Sequence, residues 1–109
     1  AGNDCLDVSG GKYIVHNFLA TDCGDKGLSV GEKSVFESSK LTITDSILGI
    51  SSKDSSVTKI GSARILKTPN CFESKRKKQE FGGAYIQFDS LDCAGLIETD
   101  SNSIAKVLQ

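Results

Sequence analysis

The 109 residues provide enough chain for one domain with a single hydrophobic core. Eleven glycines, a single proline and the absence of tryptophan and methionine favour stacked β-structure over helices. Thirteen basic and fourteen acidic residues give a net charge of −1, which excludes a general electrostatic attraction to nucleic acid. No apolar run approaches the roughly 18 residues of a membrane span, so we predict no membrane insertion. We expect residues 1–109 to form one domain of a longer protein.

One phrase of the sequence occurs twice. The stretch GLSVGEKSV (27–35) returns 22 residues later as GISSKDSSV (49–57). A fixed period of this length indicates units that bury their apolar faces only by stacking on their neighbours. With 22 as the period, the apolar residues Leu6, Leu28, Ile50 and Phe72 align in one column, and three further columns agree: Tyr13, Val35 and Val57; Leu19, Leu41 and Ala63; Thr21, Ile43 and Ile65.

Within each unit the apolar pattern has a period of two. In LTITD (41–45), Leu41 and Ile43 share one face and Thr42 and Thr44 share the other, which predicts a strand. Short strands separated by Gly, Ser, Asn and Asp predict an all-β fold, a right-handed parallel β-helix (β-solenoid) of about four coils. The final SNSIAKVLQ (101–109) would form a partial fifth coil or a terminal strand. Neither end shows an amphipathic cap, so we expect unpaired strand edges there.

The repeat changes register late in the chain. Gly95 and Leu96 follow Cys71 and Phe72 by 24 residues instead of 22. We predict a small insertion within KRKKQEFGG (75–83), where Gly82 and Gly83 would allow a sharp turn.

Four cysteines lie at spacings that do not match zinc or haem sites, and we predict no metal and no cofactor. In an oxidising compartment, Cys5 with Cys23 and Cys71 with Cys93 is the most economical of three pairings, because each joins positions about one period apart. The alternative is that the four side chains are free thiols buried as small core residues.

Four of these stretches together are similar to a known family. NDCLDVSGGKY, DKGLSVGEKS, GISSKDSSV and KRKKQEFGGAYI, in this order, resemble the right-handed parallel β-helix segments of bacterial secreted and surface proteins. Some of those segments accompany spore-coat H-like kinase domains. The resemblance covers 3–86 and implies an extracellular or cell-surface location for a segment without a catalytic role.

The same register brings charged residues together at one turn of every coil. Lys53 and Lys75 share one column, Glu32, Asp54 and Arg76 the next, and Lys33 and Lys77 a third. Such a ladder could bind an extended anionic polysaccharide. The alternative is that these charges are solvated or pair between coils. By this interpretation, only the basic run 75–78 lacks nearby compensation.

Two functional hypotheses follow. The first is a non-enzymatic structural module of a secreted or cell-surface protein, which stacks on itself or on adjacent coils. The second is a carbohydrate-binding or polysaccharide-processing β-helix that uses the charged turn. Hydrolysis requires two carboxylates on facing positions, and a lyase requires acidic and basic groups around the reacting carbon. About four coils with tight turns offer little concavity, which favours the first hypothesis.

Overall fold

In the computed structural model, which describes residues 4–108, two five-stranded parallel sheets stack as a β-solenoid. Each coil contributes one strand to each sheet. Sheet A has the order β1-β3-β5-β7-β9 and sheet B the order β10-β8-β6-β4-β2. The strands of sheet A are β1 Leu6–Val8, β3 Lys26–Val30, β5 Leu48–Lys53, β7 Asn70–Lys75 and β9 Leu96–Thr99; those of sheet B are β2 Gly11–Thr21, β4 Ser34–Thr44, β6 Val57–Leu66, β8 Tyr85–Asp92 and β10 Ile104–Val107.

The all-β solenoid prediction is confirmed, but the number of coils is five and not about four. The stretch predicted as a partial coil completes the fifth one, because β10 pairs with β8 in parallel. In the same coil β9 pairs with β7, with a register shift between Asn70 and Phe72. This shift hides the fifth unit from a fixed period of 22.

Sheet A has the predicted register in its first four coils, whereas in the fifth coil Ile97 and not Leu96 pairs with Phe72. Leu6 pairs with Leu28, Leu28 with Ile50 and Ile50 with Phe72, each one coil apart. Leu28, Ile50 and Phe72 are almost completely buried. The column is therefore a stack of core side chains, which holds consecutive coils together through apolar burial.

In the first repeat of sheet B, the predicted columns are wrong by one residue. Tyr13 pairs with Phe36 and not with Val35, because Lys33 is an extra residue in the preceding turn, at φ 51°. Since a one-residue slip in a strand turns every side chain to the other face, the correct core column is Tyr13, Phe36 and Thr58. Leu19 is accordingly exposed on the outer surface.

The insertion lies where the sequence predicts it. β6 and β8 pair Val57 with Tyr85 across 28 residues, so the additional residues form the loop 76–84 after β7. The following coil is shorter, since Tyr85 pairs with Ile104 after 19 residues. Coil length in this protein is therefore set by the turns, while the strands keep the stacking distance constant.

Both disulfide bonds join the start of one coil to its end. Cys5 is bonded to Cys23 with a Cα–Cα distance of 5.4 Å, and Cys71 to Cys93 with 6.1 Å. The pairing is the one that the spacing favours. Each bond closes one coil, the first and the fourth, and so restricts the unfolded chain near both ends of the stack.

Polar residues with positive φ form several corners of the coils. Asp22 and Asp45, both at φ 60°, follow the ends of β2 and β4. Aspartate tolerates the left-handed conformation better than most residues because its short side chain can bond to the nearby backbone. These aspartates are explained by turn geometry and require no ligand.

Candidate functional site

The charged residues singled out in the sequence lie at one turn, where the chain passes from sheet A to sheet B. We call this surface the charged turn and define it as 31–33, 54–56 and 76–84 together with Lys53 and Lys75, the last residues of β5 and β7. Lys53 and Lys75 are direct neighbours in the parallel register. The predicted clustering of these residues is thus present, and their individual environments decide what the cluster can do.

Asp54 is buried and holds the long loop in place. Its carboxylate accepts backbone N–H bonds from Lys77 at 2.6 Å and from Lys78 at 2.9 Å. Next to it, the Ser55 hydroxyl accepts the Gly82 N–H at 2.7 Å. Asp54 is therefore an anchor for residues 76–84, and its buried side chain is not available to a ligand.

Lys75 bridges two carboxylates of neighbouring coils. Its Nζ lies 3.1 Å from Glu98 Oε2 and 3.2 Å from Glu73 Oε1. The hydrogen bond to Glu98, together with the one to Glu73, raises the pKa of Lys75 despite partial burial. Burial alone would raise the pKa of Glu73, but hydrogen bonds from the Ser51 hydroxyl and from Lys75 outweigh it and lower that pKa. The raised pKa of Lys75 and the lowered pKa of Glu73 keep this pair charged at neutral pH, and the contact of Lys75 with Glu98 joins the fourth coil to the fifth.

The other end of the basic run is also compensated. Lys78 forms an ion pair with Glu32, which comes from two coils earlier, and this hydrogen bond raises the pKa of Lys78. Lys33 lies over the ring of Phe81, 5.6 Å from its centroid. The interpretation that the run 75–78 lacks nearby compensation is therefore wrong for Lys75 and Lys78, whereas Arg76 and Lys77 form no ion pair within residues 4–108. Glu98 and Glu32 are distant from this run in sequence and become its neighbours only when the coils stack.

Five of the seven candidate ligand-binding residues form no ion pair within residues 4–108: Lys33, Lys53, Asp54, Arg76 and Lys77. Arg76 and Lys77 are exposed and Lys53 is half-buried. Of the two carboxylates among the seven, Asp54 is buried and Glu32 is paired with Lys78. The charged turn therefore does not present two facing carboxylates for acid–base chemistry, and it remains a modest basic surface.

Two surface depressions were not predicted from the sequence. A cavity of about 440 Å³ lies beside the strands of sheet A, and its lining residues include Ile47, Phe72, Glu73, Leu96 and Ile97. The register shift in β9 and the exposed apolar residues beside it shape this cavity, and neither can be read from a fixed repeat.

The second depression is a groove of about 560 Å³ that crosses four coils on the outer face of sheet B. Among its lining residues are Ile14, His16, Glu37, Lys59 and Gln87. Glu37 and Lys59 are register neighbours. Most of the residues that line this groove are polar, and successive coils supply donors and acceptors to it.

Comparisons with known proteins give no match. No protein-family model, curated protein or solved structure matches this chain. Among residues 4–108, the structure has no helix that is long and apolar enough to cross a membrane.

Proposed function

We propose that this chain is a non-enzymatic structural module, a rigid β-solenoid of a secreted or cell-surface protein that associates through its end coils. The observation that supports this most strongly is the last coil, whose strands β9 and β10 each pair with only one strand within the described chain. An unprotected strand edge beside exposed apolar side chains favours pairing with another edge.

The contacts made within the charged turn and with Glu73 beside it support the same proposal. Asp54, Lys75 and Glu73 are engaged in holding coils and loop together, and a structural protein needs these contacts for rigidity. The two disulfide bonds fit an oxidising compartment, in keeping with a secreted or surface location. Together with the resemblance to bacterial β-helix segments, they favour a right-handed solenoid that serves as a spacer or stacking unit.

The experiment is size-exclusion chromatography with light scattering on the oxidised protein over a wide range of concentrations. We expect the average mass to rise with concentration as end coils pair. Val107→Lys, which places a charge on the last coil, should suppress this rise. The control Ile47→Lys changes another exposed apolar residue, in a middle coil, and should not suppress it.

A mass that stays monomeric at every concentration would contradict the proposal. The polysaccharide-binding hypothesis would then be favoured, with the groove across sheet B as its site in place of the charged turn. That groove offers polar groups at intervals of one coil, about 4.8 Å, along the solenoid axis.

A further inference from the structure

The apolar surface of this protein is concentrated on its last coil. Of the eight large hydrophobic side chains that are exposed among the described residues, five lie there: Leu96, Ile97, Ile104, Val107 and Leu108. Ile97 and Val107 occupy core positions, in register with the buried Phe72 and Phe88. They are 55% and 43% exposed because the described chain places no further coil over them.

The two strands of this coil have matching edges. β9 (Leu96–Thr99) and β10 (Ile104–Val107) each contain four residues and lie at the same end of the solenoid. Within residues 4–108 each strand pairs with one neighbour, so in this part of the chain its other edge carries unpaired backbone donors and acceptors. Such edges are satisfied by pairing with another strand.

Charge opposes a simple continuation of the stack by a second copy placed head to tail. On the face of sheet A opposite the core stack, one column runs through Asp7, Ser29, Ser51, Glu73 and Glu98. A second copy continuing this column would place its Asp7 directly on Glu98, about 4.8 Å away. Inside the chain, the stacked pair Glu73 and Glu98 is tolerated because Lys75 bridges it. The column of Lys75 offers no lysine at such a joint, since Asp100 follows Lys75 and bonds to the Arg76 N–H.

A two-fold arrangement avoids this repulsion. A two-fold axis across the open end reverses the direction of the coils, so β9 of one copy can run antiparallel to β10 of the other. Both such contacts form at once, since the interface is isologous. Glu98 is the one charged residue of β9 and Lys106 the one charged residue of β10, and both lie on the face away from the core. The charges are therefore complementary in this arrangement and alike in the head-to-tail one.

We propose that the last coil is the interface of a symmetric dimer, in which β9 pairs antiparallel with β10 of the partner subunit. This inference rests on the proposed function and specifies its partner as a second copy. With Glu98 opposite Lys106 of the partner subunit, Ile97 lies opposite the partner subunit's Val107. Both of these are core positions. The next pair along the two strands, Leu96 with Leu108 of the partner subunit, is apolar as well.

One register thus matches acid with base and apolar with apolar at successive positions. Cross-strand pairs of these kinds stabilise antiparallel sheets. The closed symmetry has a further consequence, since each copy uses its last coil once. Association through this surface stops at the dimer and does not continue into filaments.

The test is a charge exchange read out by light scattering at one fixed concentration. Lys106→Glu alone places two carboxylates opposite each other, and Glu98→Lys alone places two amines opposite each other. We expect each variant to dimerise at least ten times more weakly than the unchanged protein. An equimolar mixture should recover the dimer, because both contacts then join opposite charges.

A second measurement covers the case in which Glu98→Lys disturbs the ion pair with Lys75 and fails to fold. Leu96→Cys and Leu108→Cys, prepared separately and mixed under mild oxidation, should form a cross-linked heterodimer faster than either forms a homodimer. Opposed positions of an antiparallel pair lie within disulfide reach. Both leucines are exposed, so the fold should tolerate these changes.

The outcomes separate this inference from the proposed function. Recovery of the dimer in the mixture and preferential cross-linking support the inference. Two results overturn the inference and leave the structural function in place. One is growth of the unchanged protein beyond the dimer, and the other is that neither charge variant weakens dimerisation. A strictly monomeric protein overturns both.

Discussion

Gly83→Ala is expected to destabilise the fold strongly and to loosen the last coil. A Cβ atom at position 83 would clash with the backbone oxygen of Asn102, which is part of the turn between β9 and β10. The backbone must therefore separate at this point. The adjoining bond from the Ile104 N–H to the Ala84 oxygen, 2.9 Å long, begins the pairing of β10 and would be weakened. We expect a loss of about 3 kcal/mol in the free energy of unfolding, the upper part of the range for overpacking.

Gly82→Ala is the matched control, because the same change is made one residue earlier. There the new Cβ would meet only the Ser55 hydroxyl at 3.4 Å, an ordinary contact. We expect a change below about 0.5 kcal/mol in urea unfolding. Equal effects of the two substitutions would show that the loop does not approach Asn102 as described.

Phe72→Ala is expected to cost about 3–5 kcal/mol, the range measured for truncation of buried phenylalanine. Phe72 is 1% exposed, and its ring centroid lies 5.0 Å from that of Phe88 on the opposite sheet. The ring thus joins sheet A to sheet B in the fourth coil, and its loss leaves a cavity between them. The midpoint of urea unfolding should fall markedly.

Phe81→Ala removes the same side chain from the surface loop and serves as the control. Phe81 is half-buried, and its ring accepts a cation–π contact from Lys33, so we expect a loss of about 1 kcal/mol or less. If Phe81→Ala destabilised the protein as much as Phe72→Ala, the core would not lie between the two sheets at coil 4.

The fold could be predicted from the sequence because stacking repeats the same requirement at the same position. Leu28, Ile50 and Phe72 have direct neighbours in adjacent coils, so an apolar column appears in the sequence at a constant spacing. The column fails where a turn changes length. Lys33 adds one residue that a period of 22 does not include, and this places Tyr13 beside Phe36.

The candidate site could be predicted only in its location. The register brings Lys53, Lys75 and Asp54 to one turn, as expected. The role of each depends on contacts across several coils, such as the ion pair between Glu32 and Lys78. It also depends on loop conformation, since the loop folds back so that its N–H groups reach Asp54. A column alignment contains neither kind of information.

The end surface was predicted in kind but not in detail. Absence of an amphipathic cap indicated open edges, whereas the equal lengths of β9 and β10 and the positions of Glu98 and Lys106 required the structure. The reason is that the fifth coil follows the insertion, where the fixed period no longer holds.

The central claim is that this protein acts through its end coils, and amide hydrogen exchange at low and high protein concentration tests it most directly. We predict that exchange in residues 96–108 slows as concentration rises, because free edge amides become hydrogen-bonded. Exchange in the middle coils, for example in β4 and β6, should stay unchanged. Slowing confined to the charged turn or the groove across sheet B, with none at either end coil, would contradict the account.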